Sequence, residues 1–224
     1  MRVHLLLSHT HGDHIQGLPF FLPAFVPGSH ITVYGPAGVD RRLSAAISAS
    51  MDYSYFPVPL DSLPAKLDFV ELAETEFAIG GVTIRTRFLN HTAQCIGYRV
   101  TVGSATFVYS SDHEAYANPH WREDRTPDAL DPELLAHPGD RKHAKFLEDA
   151  DVVVHDAQYS LADYPGKAGW GHSTIEYAVD VALAARVKTL ALSHHDPGRD
   201  DVGIDALVAS AERRVAGKIG RAHV

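Results

Sequence analysis

The chain has little cysteine and no long hydrophobic run, and both absences restrict its class. Among its 224 residues there is a single cysteine, Cys95, so a disulfide within the chain is excluded. This favours a reducing compartment, and we expect a cytoplasmic protein. No stretch reaches the about 18–20 apolar residues that a membrane span needs, so we expect no membrane-spanning segment. The early apolar run Val3–Leu7 is also too short for a secretory signal.

Positive charge is scarce as well. The sequence has 20 lysines and arginines against 28 aspartates and glutamates, which gives a formal net charge of −8. Because broad, non-specific attachment to nucleic acid depends on neutralising phosphates with Lys and Arg, we expect no strong nucleic-acid binding. The hydrophobic content of 45% is ordinary for a globular protein, and the length fits one large domain over residues 1–224.

Histidine, by contrast, is abundant, and a dense group of metal-capable side chains directly follows the apolar run Val3–Leu7. In an extended segment, residues two apart point the same way, so His9, His11 and Asp13 can face one spot. His14 can join them where the chain turns into a helix. Imidazole and carboxylate ligands suit zinc, and also iron or manganese. A mononuclear site would not need all four residues, so the pattern favours two adjacent metals over a polar loop that is merely rich in histidine.

Further metal-capable residues stand directly after later apolar segments that read as strands. They are His91, Asp112 and His194. In sheet proteins, active sites collect at such strand ends, although a single His or Asp there is more often a turn or cap residue. His195 adjoins His194, so at this point either histidine can be the ligand.

The coarse pattern predicts an α/β fold in layers, because strands come in runs with helices between them. Gly80-Gly81 predicts a hairpin turn. Ser173–Glu176 has the form of a capping box, which predicts a helix from Ser173 to about residue 185. The polar, proline-containing stretch 114–145 is interpreted as an insertion over the rim of the active site, ending in a helix.

These elements together resemble the metallo-β-lactamase fold superfamily. Within it, the chain looks most similar to the phosphodiesterase branch, which contains RNase Z-type enzymes and phosphoribosyl cyclic phosphodiesterases. The resemblance implies a four-layer αββα sandwich. The matching elements span residues 3 to about 197 and are Ser8–His14, Asn90-His91, Ser111-Asp112, Val154–Ala157, Gly171–Thr174 and Ser193–His195.

The resemblance also implies a ligand set and a mechanism. By it, the cofactors are two Zn²⁺ ions, with Mn²⁺ or iron as alternatives, and a hydroxide bridging the metals is the nucleophile. Asp13 would hold or receive the water proton, and His172 paired with Asp156 would protonate the leaving oxygen. Family members often carry Glu where Asp156 stands, so the reach here is shorter. The implied ligands are His9, His11 and His91 on the first metal, Asp13, His14 and His194 on the second, and Asp112 as the bridge.

The implied function is hydrolysis of a small or cyclic phosphodiester. Two alternatives stay open: a hydrolase of a lactone, thioester or β-lactam on the same fold, and a truncated metal-binding domain with little activity. His172 and Asp156 favour the phosphodiesterase, because carbon esters need no such pair. The glycine- and lysine-rich arm with which RNase Z enzymes grip tRNA has no counterpart that we can identify, so tRNA processing ranks below a small substrate.

The sequence departs from the family at its start. Several strands normally precede the first motif, whereas here Val3–Leu7 alone precedes it, so we expect a shortened N-terminal sheet. An unpaired strand edge there predicts a homodimer or marginal stability. Among the remaining candidates, His113 and Glu114 directly follow Asp112 and are placed to orient ligands. His155 is expected to cap its strand, and His143 to have a structural or surface role.

Overall fold

The computed structural model describes residues 1–116 and 134–216, together with the backbone of the short strand 222–223. It divides into two compact units: a first unit of Met1–Thr75 with Ala93–Ile96, and a second unit of Glu76–Thr92 with Gly97–Val224. The single domain over 1–224 stays a prediction. So does the rim insertion over 114–145, because its residues 117–133 lie outside the described part of the chain.

The first unit is built on a sheet of three parallel strands in the order β1-β2-β3. These strands are β1 (Arg2–Leu6), β2 (His30–Pro36) and β3 (Lys66–Leu72). Within the described residues, β1 has one neighbour in its sheet and forms an edge. The α-helices of the unit are α1 (Gly12–Ile15) and α2 (Leu43–Ser50), and it also has short 3-10 helices at Leu18–Phe20, Leu22–Phe25 and Leu60–Ser62.

The core of the first unit follows from two simple periodicities. Ile31 and Val33 alternate along β2 and are each 1% exposed, as expected for the inward face of a strand. Leu43, Ile47 and Met51 recur every four residues, so they share one face of α2, and all three are fully buried in the same cluster. Burying each such side chain contributes about 1.5–3 kcal/mol. This packing supports the segment that follows β1.

The second unit is built on a seven-stranded sheet in the order β10-β9-β8-β7-β6-β5-β4. Antiparallel hairpins form β4-β5 and β6-β7, whereas β7, β8, β9 and β10 are mutually parallel. The predicted turn at Gly80 is confirmed; its φ of 58° is the left-handed conformation that glycine adopts without strain. The elements are β4 (Glu76–Ile79), β5 (Val82–Phe88), β6 (Ile96–Val102), β7 (Ala105–Ser110), α3 (Pro138–Leu147), β8 (Val152–Asp156), α4 (Ile175–Ala184), β9 (Thr189–Ser193), α5 (Asp201–Val215) and β10 (Ala222–His223).

The predicted start of α4 is wrong by one residue. Thr174, not Ser173, is the N-cap, and its hydroxyl accepts a hydrogen bond from the Tyr177 backbone N–H at 3.1 Å. Ser173 is used elsewhere, because its hydroxyl donates to the His113 carbonyl. Glu176 lies in the first turn, and its carboxylate accepts from the Leu161 backbone N–H at 3.1 Å instead of closing a capping box.

Candidate active site

The first unit gathers four of the predicted ligands where β1 gives way to α1. His9 is fully buried, and its Nδ1 lies 3.1 Å from the Ser8 hydroxyl. Its ring is 4.6 Å from the ring of His11 and 4.2 Å from that of His14, measured between centroids. The Asp13 carboxylate is 3.2 Å from Nε2 of His14. Three imidazoles and one carboxylate therefore lie side by side within this unit.

The second unit brings three more predicted ligands together. Asp112 follows β7 and is 1% exposed. Its Oδ2 lies 3.6 Å from Nε2 of His91 and 3.6 Å from Nε2 of His194, while Ser111 donates to its Oδ1 at 3.1 Å. β7 and β9 are parallel strands separated by β8, so the residues beyond their carboxyl ends emerge at the same edge of the sheet. One carboxylate oxygen is thus flanked by two imidazole nitrogens.

His91 has a defined tautomer. Its Nδ1 lies 2.9 Å from the carbonyl oxygen of Gly171, and a carbonyl can only accept, so Nδ1 carries the proton. In the neutral ring, Nε2, which faces Asp112, is then the unprotonated nitrogen, the form that binds a metal. Gly171 has φ of 89°, and a Cβ built on it would lie 2.3 Å from Nδ1 of His91. The Gly171–Thr174 motif stands out in the sequence, but this contact with His91 has no sequence signal.

His172 and Asp156 form the predicted pair. Nδ1 of His172 lies 3.0 Å from Oδ2 of Asp156. The same carboxylate accepts backbone N–H bonds from His113 at 3.1 Å, Ser173 at 3.2 Å and Gln158 at 3.1 Å. These bonds hold the side chain in place and satisfy its oxygens, which are fully buried. Because Nδ1 donates to the carboxylate, Nε2 is the nitrogen of His172 that remains available for proton transfer or for a metal.

The structure separates His194 from His195. His194 is the residue whose Nε2 lies near Asp112, and its ring stacks on that of His172 at 4.7 Å. Its φ of 59° is left-handed, an arrangement that costs a residue with a side chain about 1–3 kcal/mol and that clusters at functional sites. His195 shows no such contact to Asp112 in the described chain; its pKa is lowered, chiefly by burial and then by Arg199.

The donor set of the second unit fits a divalent metal. In a tetrahedral zinc site, bonds of about 2.0–2.2 Å place neighbouring ligand atoms about 3.3–3.6 Å apart. The two distances of 3.6 Å at Asp112 match that spacing and exceed a hydrogen bond. Asp112, His172 and His194 also each offer one ligand atom within 4.8 Å of the others. His172 is therefore placed both to act on a proton and to bind a metal, two roles that experiment separates.

Below these residues lies a buried histidine cluster that the sequence did not predict. Nδ1 of His155 donates to the Asp156 carbonyl at 2.6 Å, so its Nε2 accepts from Nε2 of His143 at 2.9 Å. The His143 ring stacks on that of His113 at 3.9 Å. Nε2 of His113 donates to the Tyr177 hydroxyl. Burial lowers the pKa of all three histidines, so they are neutral and serve the fold instead of binding a proton.

The comparisons with known proteins agree with this arrangement. The sequence model for the β-lactamase superfamily domain matches residues 3–195. Ribonuclease Z of Bacillus cereus strain G9842 is 27% identical in an alignment that covers 85% of this chain and 69% of the relative. The predicted resemblance to the superfamily and to its phosphodiesterase branch is confirmed.

Solved structures support the predicted fold class. The metallo-β-lactamase fold protein YhfI of Bacillus subtilis superposes with a TM-score of 0.66 at 19% identity, over 98% of this chain and 73% of that one. A diphosphatase of the PhnP family gives a TM-score of 0.61 at 17% identity, over 98% and 68%. At these identities the likeness concerns the fold alone, and it confirms an α/β protein of the metallo-β-lactamase type. By the match over residues 3–195, the chain belongs to the β-lactamase superfamily, and it is a metal-dependent hydrolase.

Proposed function

We propose that this protein is a dinuclear metal phosphodiesterase that hydrolyses a small or cyclic phosphodiester. The observation that carries the proposal is the His172–Asp156 hydrogen bond at 3.0 Å, next to Asp112 and His194. Carbon esters with good leaving groups need no separate proton donor, whereas an alkoxide leaving from phosphorus does. The names of two similar proteins, a ribonuclease and a diphosphatase, both denote enzymes that cleave P–O bonds, which supports a phosphorus-centred substrate.

The proposed metal ligands are those that the sequence predicts. The first unit supplies His9, His11, Asp13 and His14, whose side chains cluster after β1. We assign His9, His11 and His91 to one ion, Asp13, His14 and His194 to the other, and Asp112 to both. Histidine and carboxylate donors favour zinc, and manganese or iron remain alternatives. Bound ions would lower the pKa of a shared water and polarise a phosphoryl oxygen.

The protein's own groups then move the protons. Asp13 receives the proton from the attacking water while the new P–O bond forms. His172 gives the proton on Nε2 to the leaving oxygen as the old P–O bond breaks, so the charges balance. Asp156 keeps Nδ1 of His172 protonated and stabilises the positive charge that the ring carries before transfer. Because backbone N–H groups hold the Asp156 carboxylate in place, it fixes the direction in which Nε2 of His172 points.

RNA is the second candidate substrate, and the observation in its favour is the similarity to Ribonuclease Z. The net charge of −8 argues for a small substrate, because wrapping an RNA requires many Lys or Arg contacts to phosphate. We therefore rank a small or cyclic phosphodiester first and expect no strong binding of nucleic acid.

A substrate panel tests the proposal. Protein reconstituted with zinc or manganese is assayed against bis-p-nitrophenyl phosphate, a 2′,3′-cyclic nucleotide, a tRNA precursor, a lactone and nitrocefin. We expect hydrolysis of the first two, abolished by chelation and restored by metal. Turnover of the lactone or nitrocefin alone would move the assignment to carbon esters or β-lactams. Cleavage confined to the tRNA precursor would make RNA the substrate. Metal binding without turnover of any substrate would indicate a metal-binding domain with little activity.

Location and assembly are further proposals. No helix in the described ranges is long and apolar enough to cross a bilayer. A cytoplasmic location is supported by the scarcity of cysteine, since Cys95 is the single one in the sequence and no disulfide can form within the chain. The edge position of β1 in its described sheet supports a homodimer formed through that strand. Light scattering of the purified chain tests the dimer, and a monodisperse monomer that resists heating would contradict it.

A further inference from the structure

Glu114 is a buried carboxylate that the proposed chemistry does not use. Its side chain is 8% exposed, and it accepts from three donors on one loop. The Tyr164 hydroxyl and the Gly169 backbone N–H, at 2.7 Å, donate to Oε1, and the Gly171 backbone N–H donates to Oε2 at 2.8 Å. Burial and the neighbouring carboxylate raise the pKa of Tyr164, so its hydroxyl keeps the proton that it donates. Glu114 thus fixes both the start and the end of the loop 164–171.

The loop that Glu114 holds is the one that orients His91. Gly171 makes both contacts: its backbone N–H donates to Glu114, and its carbonyl accepts from Nδ1 of His91. Glu114 is also tied to the residue before His91, because its backbone N–H donates to the Asn90 carbonyl at 2.7 Å and the Asn90 amide donates to the Glu114 carbonyl at 2.9 Å. A shift of the loop 164–171 therefore also moves the imidazole of His91.

We propose that Glu114 is a positioning residue for His91, acting through the Gly171 peptide. Its carboxylate holds the Gly171 carbonyl against Nδ1 of His91, which fixes the ring and keeps Nε2 directed toward Asp112. The inference rests on the proposed function insofar as His91 is taken as a metal ligand. Partners that orient a ligating histidine in this way are typically worth about 10–100-fold in metal affinity.

Because Gly171 has no side chain, the loop 164–171 can lie close to the ring of His91. Its φ of 89° is left-handed, and a Cβ would lie 2.3 Å from Nδ1 of His91. Gly171→Ala therefore displaces His91 directly and provides a reference for what a misplaced ligand does. A cavity of about 350 Å³ borders the same residues, among them His91, Glu114 and Tyr164. Glu114 could therefore contact substrate instead, and the experiment has to distinguish the two roles.

Glu114→Gln is the test variant, because it keeps the size of the side chain but has a single acceptor oxygen. At least one of the Gly169 and Gly171 N–H groups then faces an amide NH₂. Glu176→Gln is the matched control, since its carboxylate also accepts a backbone N–H of the neighbouring segment, that of Leu161. Zinc affinity is measured by competition with a chelator, and the tautomer of His91 by long-range ¹H–¹⁵N spectra of the metal-free protein.

We expect Glu114→Gln to weaken binding of zinc by about 10–100-fold and to convert His91 to a mixture of tautomers, as Gly171→Ala does. Glu176→Gln should change neither. Wild-type affinity and a wild-type His91 spectrum in Glu114→Gln overturn the inference, and a change confined to KM assigns Glu114 to substrate contact and overturns it equally. Wild-type protein that binds no zinc refutes the proposed function instead, while the metal-free spectra still decide the role of Glu114.

If Glu114→Gln does not fold, as judged by circular dichroism, Tyr164→Phe replaces it. This variant removes one of the three donors to Glu114 and leaves the carboxylate in place. We expect Tyr164→Phe to weaken zinc binding by a smaller factor and to give a mixture of His91 tautomers. An unchanged His91 spectrum together with an unchanged zinc affinity in Tyr164→Phe then overturns the inference.

Discussion

At the scale of single residues, His172 has the most consequential surroundings. Its Nδ1 is held by Asp156, and its ring stacks on His194 at 4.7 Å. The same position suits a proton donor and a metal ligand, and the two roles predict different losses. A proton donor contributes to the chemical step, whereas a ligand contributes to metal occupancy.

The first prediction is that His172→Ala keeps its metals and loses turnover. General acid catalysis is typically worth about 10²–10⁴-fold, so kcat for an alkyl phosphodiester should fall by that factor. For bis-p-nitrophenyl phosphate the loss should be much smaller, because p-nitrophenolate leaves without a proton. Asp156→Asn should follow the same pattern. Loss of metal in His172→Ala, found by elemental analysis, would make His172 a ligand instead.

The second prediction separates two neighbouring histidines. Because Nε2 of His194 lies 3.6 Å from Asp112, His194→Ala should lower the zinc content of the purified protein. His195→Ala is the control and should keep it. Elemental analysis of both variants decides the matter, and loss of zinc from the His195 variant alone would reverse the assignment.

At the scale of elements, α4 and α5 are joined by a buried ion pair. Arg214 on α5 places Nε 2.6 Å from Oδ1 of Asp180 and Nη2 2.6 Å from Oδ2, in the two-pronged geometry that arginine forms with carboxylates. The two side chains are 5% and 2% exposed. Removing one partner of such a pair leaves the other charge buried without compensation.

The third prediction is therefore a strong stability effect of Arg214→Ala. We expect the free energy of unfolding to fall by about 3–5 kcal/mol, measured by urea denaturation. The double variant Arg214→Met with Asp180→Leu removes both charges and should recover most of that loss. If Arg214→Ala unfolds at the wild-type urea concentration, the ion pair does not hold α5 in place.

The sequence predicted the parts of this structure that depend on local patterns. The strand before His9, the Gly80 turn and the position of metal-capable residues at strand ends all follow from short-range rules of hydrophobic periodicity and turn chemistry. The start of α4 was misplaced because Ser173 and Thr174 are both good caps, and a distant group, the His113 carbonyl, engages Ser173. The contact of His91 with Gly171 spans 80 positions, and such pairings leave no local pattern.

At the scale of the whole molecule, the buried histidines couple stability to pH. His143 and His155 have lowered pKa values, mainly because burial disfavours the charged ring. His143 also faces the rings of His113 and Tyr177 and feels the charge of Arg87. The unfolded chain binds protons at these positions below a pH of about 6.5, and the folded chain does not.

The fourth prediction gives the sign of that dependence. Since the folded pKa lies below the unfolded value, the contribution to stability is complete above a pH of about 6.5 and is lost as the pH falls. Each such histidine should contribute at most about 1.4 kcal/mol per pH unit to the slope of the free energy of unfolding against pH. Urea melts of the metal-free protein between pH 7 and pH 5 (about the range in which histidine titrates) measure it. In His143→Gln, the slope of the free energy of unfolding against pH should be smaller, because one fewer proton is taken up on unfolding. An unchanged slope would mean that His143 is already protonated in the fold.

The central claim is that this chain binds a pair of metal ions, with Asp112 shared between them. Elemental analysis of protein reconstituted with zinc and freed of excess metal tests it most directly, with Asp112→Ala measured in parallel. We predict about two zinc ions per chain for the wild type and loss of bound zinc in the Asp112 variant, because removing a bridging ligand weakens both sites. A wild-type chain that retains no zinc after reconstitution would contradict the claim.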